Sequence, residues 1–351
     1  MQRLMQRLMQ HQIPPIFLRA FCPLPPPLGT LPMMRRPFYW RQILAFGALM
    51  LSAWSALAQN APSRMVAKQV APDAYMVQGL AELGSSANQN FISNAGFVIT
   101  PSGVVVVDAL GSPELARRLL AEIRQLTPQP VKWVILTHYH ADHIYGLQVF
   151  QEAGAKILAH EKGREYLNSD TAALRLKASR QELWPWVDDQ TRLVSADRWI
   201  DRAETLSLGG LDFVIEPVGP AHTAEDLVVY VPQRKLLFAG DLVFRNRIPF
   251  VGQADSRHWI VGLERLLSFD AQVVVPGHGP ESKDARSDIS LTRDYLVYLR
   301  KVMGQAAADM VPFEEAYANT DWRRFEGLPL FKAANRMNAY NTYLLMEHET
   351  P

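Results

Sequence analysis

The sequence has almost no cysteine, since Cys22 is the one cysteine among its 351 residues. Cys22 lies in residues 1–58, which we expect to be removed as a leader. The remaining chain could then form no disulfide bond and offer no thiolate to a metal. Any metal site in it must therefore use nitrogen and oxygen ligands.

The sequence also has little net charge, with a formal value of +1. The predicted leader contains six arginines and no acidic residue, so the chain after residue 58 has 30 basic and 35 acidic residues, a net charge of −5. Nucleic-acid binding normally requires a basic surface, so we expect no nucleic-acid partner. A hydrophobic fraction of 48% is enough to bury a sizeable core.

The apolar stretch near the N-terminus, residues 43–57, is shorter than the about 20 residues that cross a bilayer. It follows a basic start and ends in Ala-Leu-Ala at residues 56–58, so residues 33–58 resemble a cleavable secretory signal peptide. The arginine pair at residues 35–36 also resembles a twin-arginine export signal. We expect a periplasmic protein with no stable membrane anchor after cleavage; an uncleaved anchor is the alternative.

After the leader, strands and helices alternate, which indicates an α/β fold. FISNAGFVIT and GVVVVDAL predict a hairpin, and an amphipathic helix follows with Ser112 as its N-cap and Pro113 in its first turn. The second half repeats the pattern with DLVVYV and KLLFAGD. We therefore predict two facing sheets in a catalytic domain of residues 59–305, followed by a C-terminal helical tail of residues 306–351.

The stretch THYHADH places three histidines and one aspartate directly after the predicted strand VKWVIL. On an extended loop, His138 and His140 point the same way, whereas Asp142 and His143 follow the turn and can reach a second ion. Imidazole nitrogen and carboxylate oxygen are ordinary zinc ligands. Two ions that share a hydroxide activate it at neutral pH. Neutral imidazoles cannot balance two divalent cations, so Asp142 and Asp241 are the carboxylates available for this purpose.

The run from His138 to His143 resembles the HxHxDH signature of the metallo-β-lactamase superfamily. The resemblance continues in the family's order at Asp108, His222, Asp241 and His278. It implies a four-layer αββα sandwich, here with a C-terminal helical extension, and a dinuclear site along one edge of the two sheets. It also implies a first metal held by His138, His140 and His222, a second held by Asp142, His143 and His278, a bridging Asp241, and an Asp108 that orients a ligand.

The expected function is hydrolysis of an ester, thioester or amide-like bond in a small molecule by a hydroxide that bridges two zinc ions. Asp142 and Asp241 are the expected catalytic carboxylates, and iron or manganese could replace zinc. One β-lactamase branch has a cysteine and a lysine where this chain has Asp241 and Phe244, and the aspartate instead resembles glyoxalase II.

The stretch GDLVFRNRIPFVGQADSRHW further resembles exported metallohydrolases associated with sulfur oxidation, called SoxH, and with the quinoprotein relay system. Three alternatives to this function stay open. The protein could hydrolyse β-lactams, could be a mononuclear iron persulfide dioxygenase, or could be a non-catalytic metal-binding accessory protein.

The predicted signal peptide has a direct consequence for the mature protein. We expect the native chain to begin at Gln59 and to lie in the periplasm of a Gram-negative bacterium. N-terminal sequencing after cell fractionation measures both properties. A cytoplasmic chain that begins near Met1 would contradict the export prediction.

Overall fold

The computed structural model describes residues 65–252 and 254–349. The predicted leader, with Cys22 and the predicted cleavage site, lies outside these residues. The described part of the chain belongs to one compact unit. Within it, no helix combines the length and the apolar composition that crossing a membrane requires.

The first sheet contains seven strands in chain order: β1 (Lys68–Ala71), β2 (Ala74–Val77), β3 (Ala95–Thr100), β4 (Gly103–Val107), β5 (Val131–Ile135), β6 (Lys156–His160) and β7 (Arg198–Ile200). Neighbouring strands from β1 to β4 are antiparallel, and those from β4 to β7 are parallel. The predicted hairpin is confirmed as β3 and β4. Every residue of β4 is buried, as expected for a strand covered on both faces.

The second sheet contains five strands: β8 (Glu204–Leu208), β9 (Leu211–Pro217), β10 (Leu227–Val231), β11 (Leu236–Phe244) and β12 (Val273–His278). Their spatial order is β12, β11, β10, β9, β8. Only the pair of β11 and β12 is parallel; the other pairs are antiparallel. A 3₁₀ turn, Pro232–Arg234, connects β10 to β11.

The described residues form nine α-helices: α1 (Pro113–Leu126), α2 (Ala141–Ile144), α3 (Leu147–Glu152), α4 (Gly163–Leu167), α5 (Asp170–Glu182), α6 (Ser256–Leu266), α7 (Ala285–Ala308), α8 (Phe313–Asn319) and α9 (Phe331–His348). The predicted cap of α1 is confirmed, because the Ser112 side chain accepts from Leu115 N–H at 3.3 Å. The predicted domain boundary at residues 305 and 306 falls within α7, against which α8 and α9 pack.

The buried apolar residues form three layers of core that account for the sandwich. The central layer joins the two sheets, with Val105 and Ile135 from the first and Phe213 and Val229 from the second. A second layer lies under α1 and α3, and a third lies under α6, α7 and α9. The predicted αββα sandwich with a C-terminal helical region is thereby confirmed.

Parallel strands bring several chain segments to one edge of the sandwich. In the first sheet, β4 ends just before Asp108 and β5 ends before the THYHADH loop; in the second, β12 ends with His278. Asp241 lies inside β11, where the pairing register with β12 shifts around Gly240. Gly240 has φ +52, and a Cβ there would come within 2.8 Å of Thr137, so the two sheets meet closely at this edge.

The inter-sheet core predicts a large effect of removing one ring. Phe213 is fully buried in it, so Phe213→Ala should lower the free energy of unfolding by about 3–5 kcal/mol. Leu174→Ala, on the exposed face of α5, is the control and should change stability by less than about 0.5 kcal/mol. Urea unfolding measures both changes. Equal effects in the two variants would contradict this assignment of the core.

Candidate metal centre

The loop after β5 supplies two imidazoles to the same side. His138 is fully buried and His140 is half-buried immediately before α2. Tyr139 points into the first half of the core, where its ring stacks on Trp199 with centroids 6.0 Å apart. The ligand atoms of His138 and His140 therefore fall into one group, as the extended loop predicts.

Asp108, which follows β4, holds this loop in place through hydrogen bonds. Its carboxylate accepts from the Thr137 amide and hydroxyl, at 2.9 and 3.0 Å to Oδ1, and lies 3.0 Å from His143 Nδ1. A carboxylate only accepts, so His143 Nδ1 carries the proton and Nε2 is left for a metal. The Thr137 hydroxyl donates its proton to the Asp108 carboxylate, so it can only accept from His138 Nδ1, which lies 3.0 Å away. His138 Nε2 is therefore left free.

The loop between β9 and β10 supplies His222. Asp226 closes the turn that follows it by accepting from the Thr223 amide and hydroxyl, both at 2.8 Å. Burial holds the pKa of Asp226 well above its ordinary value, although the bonds from Thr223 oppose the shift. The Leu227 amide donates to Thr137 O at 2.8 Å, which joins β10 to the first ligand loop. His222 Nε2 thereby lies 3.0 Å from His140 Nδ1.

Asp241 lies at the centre of the cluster. Its Oδ2 is 3.9 Å from His138 Nε2, 3.4 Å from His222 Nε2 and 3.3 Å from His278 Nε2, and its Oδ1 is 3.2 Å from His143 Nε2. The carboxylate is 4% exposed, so water does little to screen it. Asp241 thus contacts imidazoles from both halves of the sandwich.

His278 ends β12 and faces Asp142, with 3.3 Å between His278 Nε2 and Asp142 Oδ2. Asp142 Oδ2 is also 3.6 Å from His143 Nε2. The Phe244 ring stacks on the His278 ring, with centroids 5.3 Å apart and an interplanar angle of 7°. These contacts place Asp142, His143 and His278 together, as the sequence resemblance implies.

The candidate ligands form two groups, and within each group the ligand atoms lie within 4.8 Å of one another. The groups are His138, His140, His222 and Asp241, and Asp142, His143 and His278. Two nitrogens bound to one tetrahedral zinc at about 2.0–2.1 Å are about 3.3 Å apart, close to the 3.0 Å between His222 Nε2 and His140 Nδ1. Asp108 belongs to neither group.

The cluster contains buried polar atoms without a hydrogen-bond partner: His138 Nε2, His143 Nε2, His222 Nδ1 and Asp241 Oδ1. An unpaired buried polar atom is costly, and three imidazoles in one cavity have few mutual donors. His138 Nε2 and His143 Nε2 are the atoms that the Asp108 network leaves free. An all-nitrogen-and-oxygen donor set of this kind fits zinc, iron or manganese.

The pKa values of the cluster distinguish imidazoles that are ready to bind a cation from imidazoles that must first lose a proton. Burial, reinforced by His143, lowers the pKa of His138 well below its ordinary value, and burial lowers the pKa of His222 to about 3, so both are neutral ligands at pH 7. Burial alone would raise the pKa of Asp241, but His278 and His143 hold it well below its usual range. Burial would lower the pKa of His143 and of His278, but the nearby carboxylates raise both. A metal requires neutral imidazoles, so an ion bound by these two residues would displace their protons.

Other groups that support the site carry no sequence motif. Glu225 Oε1 accepts from the Tyr139 amide at 3.3 Å, and the Arg247 guanidinium, 1% exposed, lies 3.1 Å from His278 Nδ1. Glu225, Asp226 and Arg247 stand among ordinary loop residues, so sequence reasoning missed them. The Thr-x-x-Asp spacing of the turn after His222 is the one local signal that could have indicated Asp226.

The remaining described histidines lie outside both groups, as expected. His160 Nδ1 accepts from the Lys162 amide at 3.0 Å, and His258 Nδ1 lies 2.7 Å from Asp255 on the exposed start of α6. His348 ends α9. None of them has a contact that points to a metal.

Comparison with protein families gives a match over the same region. Residues 89–278 match the family model described as the metallo-beta-lactamase superfamily. This range contains Asp108 and all seven candidate ligands. It accounts for more than half of the chain.

Individual relatives have different activities. A linear primary-alkylsulfatase from Pseudomonas sp. is 24% identical over 235 residues, which cover 57% of this chain and 44% of the relative. A metallo-beta-lactamase type 2 from Bacillus cereus is 29% identical over 203 residues, covering 56% of this chain and 71% of the relative. The chain thus spans less than half the length of the alkylsulfatase. A solved metallo-beta-lactamase from Pontibacter korlensis superposes with a TM-score of 0.53 and 27% identity, covering 66% of this chain and 98% of that one.

The position of Asp108 predicts a specific loss of metal affinity. In Asp108→Asn, the amide no longer offers two acceptor oxygens to Thr137 and His143, so the ion bound by His143 should be held about 10–100-fold more weakly. Asp255→Asn removes a similar carboxylate–imidazole pair on the surface and is the control. Titration of zinc into the metal-free protein measures both variants. Unchanged affinity in Asp108→Asn would refute the orienting role.

Proposed function

Because this chain belongs to the metallo-beta-lactamase superfamily, we propose that it is a hydrolase that uses two divalent metal ions, most simply zinc. The observation that carries the proposal is the position of Asp241 between two groups of ligand atoms. A single metal would need only one of these groups. The shared carboxylate supplies the negative charge that a pair of ions requires.

In this proposal, the two groups divide the ligands as the resemblance implies. His138, His140 and His222 hold the first ion, and Asp142 and His143, with His278, hold the second. Asp241 contributes to both. When bound, two such ions lower the pKa of a water molecule and polarise the bond to be cleaved.

The two carboxylates of the cluster are suited to different tasks. The Asp142 side chain is 17% exposed, whereas that of Asp241 is 5% exposed. Burial would raise the pKa of Asp142, but His143 and His278 lower it below its usual value, so it is ionised at neutral pH. We assign to Asp142, through the carboxylate oxygen that would not hold the second ion, the transfer of a proton from water to the leaving group, and to Asp241 the balance of the metal charge.

We propose an ester, thioester or amide-like bond in a small molecule as the substrate, because the chemistry that two bound ions would supply, an activated water and a polarised bond, suits such bonds. Phe244 is 1% exposed, and its ring packs behind the ligands, with its centroid 5.3 Å from that of His278 and 5.9 Å from that of His222. It occupies the position at which one β-lactamase branch has a lysine for the carboxylate of the drug. The nearby Arg247 is buried and therefore does not replace that lysine at the surface of the site.

We further propose that the enzyme works in the periplasm on a small molecule, as the leader and the net charge after residue 58 suggest. Its placement among SoxH-like or quinoprotein relay metallohydrolases stays a prediction. The alkylsulfatase and β-lactamase relatives make sulfate esters and β-lactams necessary members of any substrate panel.

The proposal is tested by combining metal analysis with a substrate panel. We expect two divalent ions per chain and turnover of an ester or thioester that a chelator abolishes and zinc restores. Metal-loaded protein that is inert toward esters, thioesters, β-lactams and sulfate esters would contradict the proposal. One iron per chain, with oxygen consumption in the presence of persulfide, would support the dioxygenase instead.

Asp241 gives the sharpest mutational prediction. Asp241→Asn keeps the size of the side chain but removes the charge that offsets two cations, so one ion should be lost or weakly held. Turnover of the best substrate should then fall by about 10²-fold or more. Asp270→Asn, an exposed partner of Lys235, is the control and should keep full activity. Two tightly bound ions and full activity in Asp241→Asn would disprove the bridging role.

A further inference from the structure

The three residues that precede β3 contact both halves of the second ligand group. Ile92, Ser93 and Asn94 are consecutive in the chain, yet their partners come from the loop after β5 and from the end of β12, up to 186 residues away. Ser93 and Asn94 are buried, with 0% and 2% exposure. Buried hydrogen bonds between such distant segments fix their relative position.

The first contact fixes the tautomer of His278. His278 Nδ1 lies 2.7 Å from the Ile92 carbonyl oxygen and 3.1 Å from Arg247 Nη1. Nδ1 cannot accept from Arg247 and donate to Ile92 at the same time. The shorter contact is to a carbonyl, which only accepts, so Nδ1 carries the proton and donates it to Ile92, and Arg247 makes no hydrogen bond to this nitrogen. Nε2, which faces Asp142 and Asp241, is therefore the nitrogen available to a metal.

The second contact holds the helix that carries Asp142. The Ser93 hydroxyl donates to the backbone carbonyl of Asp142 at 2.5 Å. α2 has only four residues and lacks a side-chain cap, so its own hydrogen bonds do little to fix its position. The Ser93 bond therefore sets where the Asp142 carboxylate stands relative to His278.

The third contact is the most extensive. Asn94 Nδ2 donates to the carbonyls of Pro276 and Gly279, at 2.8 and 2.7 Å. The backbone N–H of Asn94 donates to the Gly277 carbonyl at 2.8 Å. Asn94 Oδ1 accepts from the Gly79 amide at 3.1 Å. Every polar group of the Asn94 side chain is thus used, and three bonds bracket His278 in the chain.

The segment around His278 has few polar side chains of its own that could fix its position. Its sequence, Pro-Gly-His-Gly, has no polar side chain besides the histidine and no N–H on the proline. A Cβ at Gly277 would come within 2.0 Å of Asp241 Oδ1, and one at Gly279 within 2.1 Å of the Arg245 carbonyl. The glycines are needed for close approach, so pairing with β11 and hydrogen bonds from other segments hold this one in place.

We propose that residues 92–94 form a positioning segment that assembles the second metal site, with Asn94 as its principal residue. The first ligand group is held by different contacts, from Thr137 and Asp226. Loss of Asn94 should therefore weaken the second ion selectively. This inference rests on the proposed function, because it assumes that the protein binds two ions.

The test is calorimetric titration of zinc into the metal-free full chain. In Asn94→Ala, the second ion should bind about 10–100-fold more weakly, while the affinity for the first changes by less than about threefold. Ser93→Ala should shift the second affinity in the same direction by a smaller factor. If Asn94→Ala does not fold, the zinc affinities of Ser93→Ala test the positioning role instead.

The matched control is Asn338→Ala in α9. Asn338 is also fully buried, donates to the Pro249 carbonyl at 2.7 Å and accepts from the Val251 amide at 2.9 Å, but holds a loop without candidate ligands. It should lower the Tm and leave both zinc affinities unchanged. Cobalt substitution adds a spectroscopic readout of the second site, independent of activity.

The outcomes separate this inference from the proposed function. If the wild-type protein binds only one ion, the proposed dinuclear function fails. If it binds two, and both ions bind Asn94→Ala and Ser93→Ala as tightly as wild type, the positioning role is wrong. Equal weakening of both ions in Asn94→Ala would also overturn it, since that result would indicate a general loss of structure.

Discussion

One buried carboxylate connects the parts of this molecule that carry chemistry. The oxygens of Asp241 lie 3.2–3.9 Å from the Nε2 atoms of His138, His143, His222 and His278, which come from both halves of the chain. Four imidazoles around one anion cannot all be satisfied by hydrogen bonds among themselves. The sandwich must therefore hold them in place by other contacts until a cation binds.

Those contacts lie on the side of each ligand that faces away from the site. Asp108, through Thr137, fixes the loop after β5, while Asp226 closes the turn after His222. Asn94 holds the segment around His278. The ligand nitrogens are thus oriented by buried backbone and side-chain partners, and the inter-sheet core makes those partners rigid. Such an arrangement is common in metal sites, where residues that hydrogen-bond to the ligands set the geometry and tautomer of those ligands.

The sequence predicted the sandwich and the grouping of the ligands well, for identifiable physical reasons. The valine-rich β4 and the cap at Ser112 are local signals, and the HxHxDH run has a fixed spacing that few other structures require. The roles of Glu225, Arg247 and Asn94 could not be predicted in this way. Their roles depend on contacts between segments distant in sequence, and their residue types are common in loops.

The end of β11 also depends on contacts that the sequence alone does not reveal. The predicted strand KLLFAGD ends at Asp241, but β11 continues to Phe244 because the next residues are apolar as well. Its irregular pairing near Gly240, where Thr137 approaches, aims the carboxylate. A register shift of this kind depends on the partner strand and has no signature in a single sequence.

The central claim is that two metal ions share Asp241. Anomalous diffraction at the zinc edge, from crystals of the native protein, tests it most directly. Two shared ions should give two peaks about 3.5–4 Å apart, one beside each ligand group and both within bonding distance of the Asp241 carboxylate. A single peak, or two peaks with Asp241 bound to only one, would contradict it.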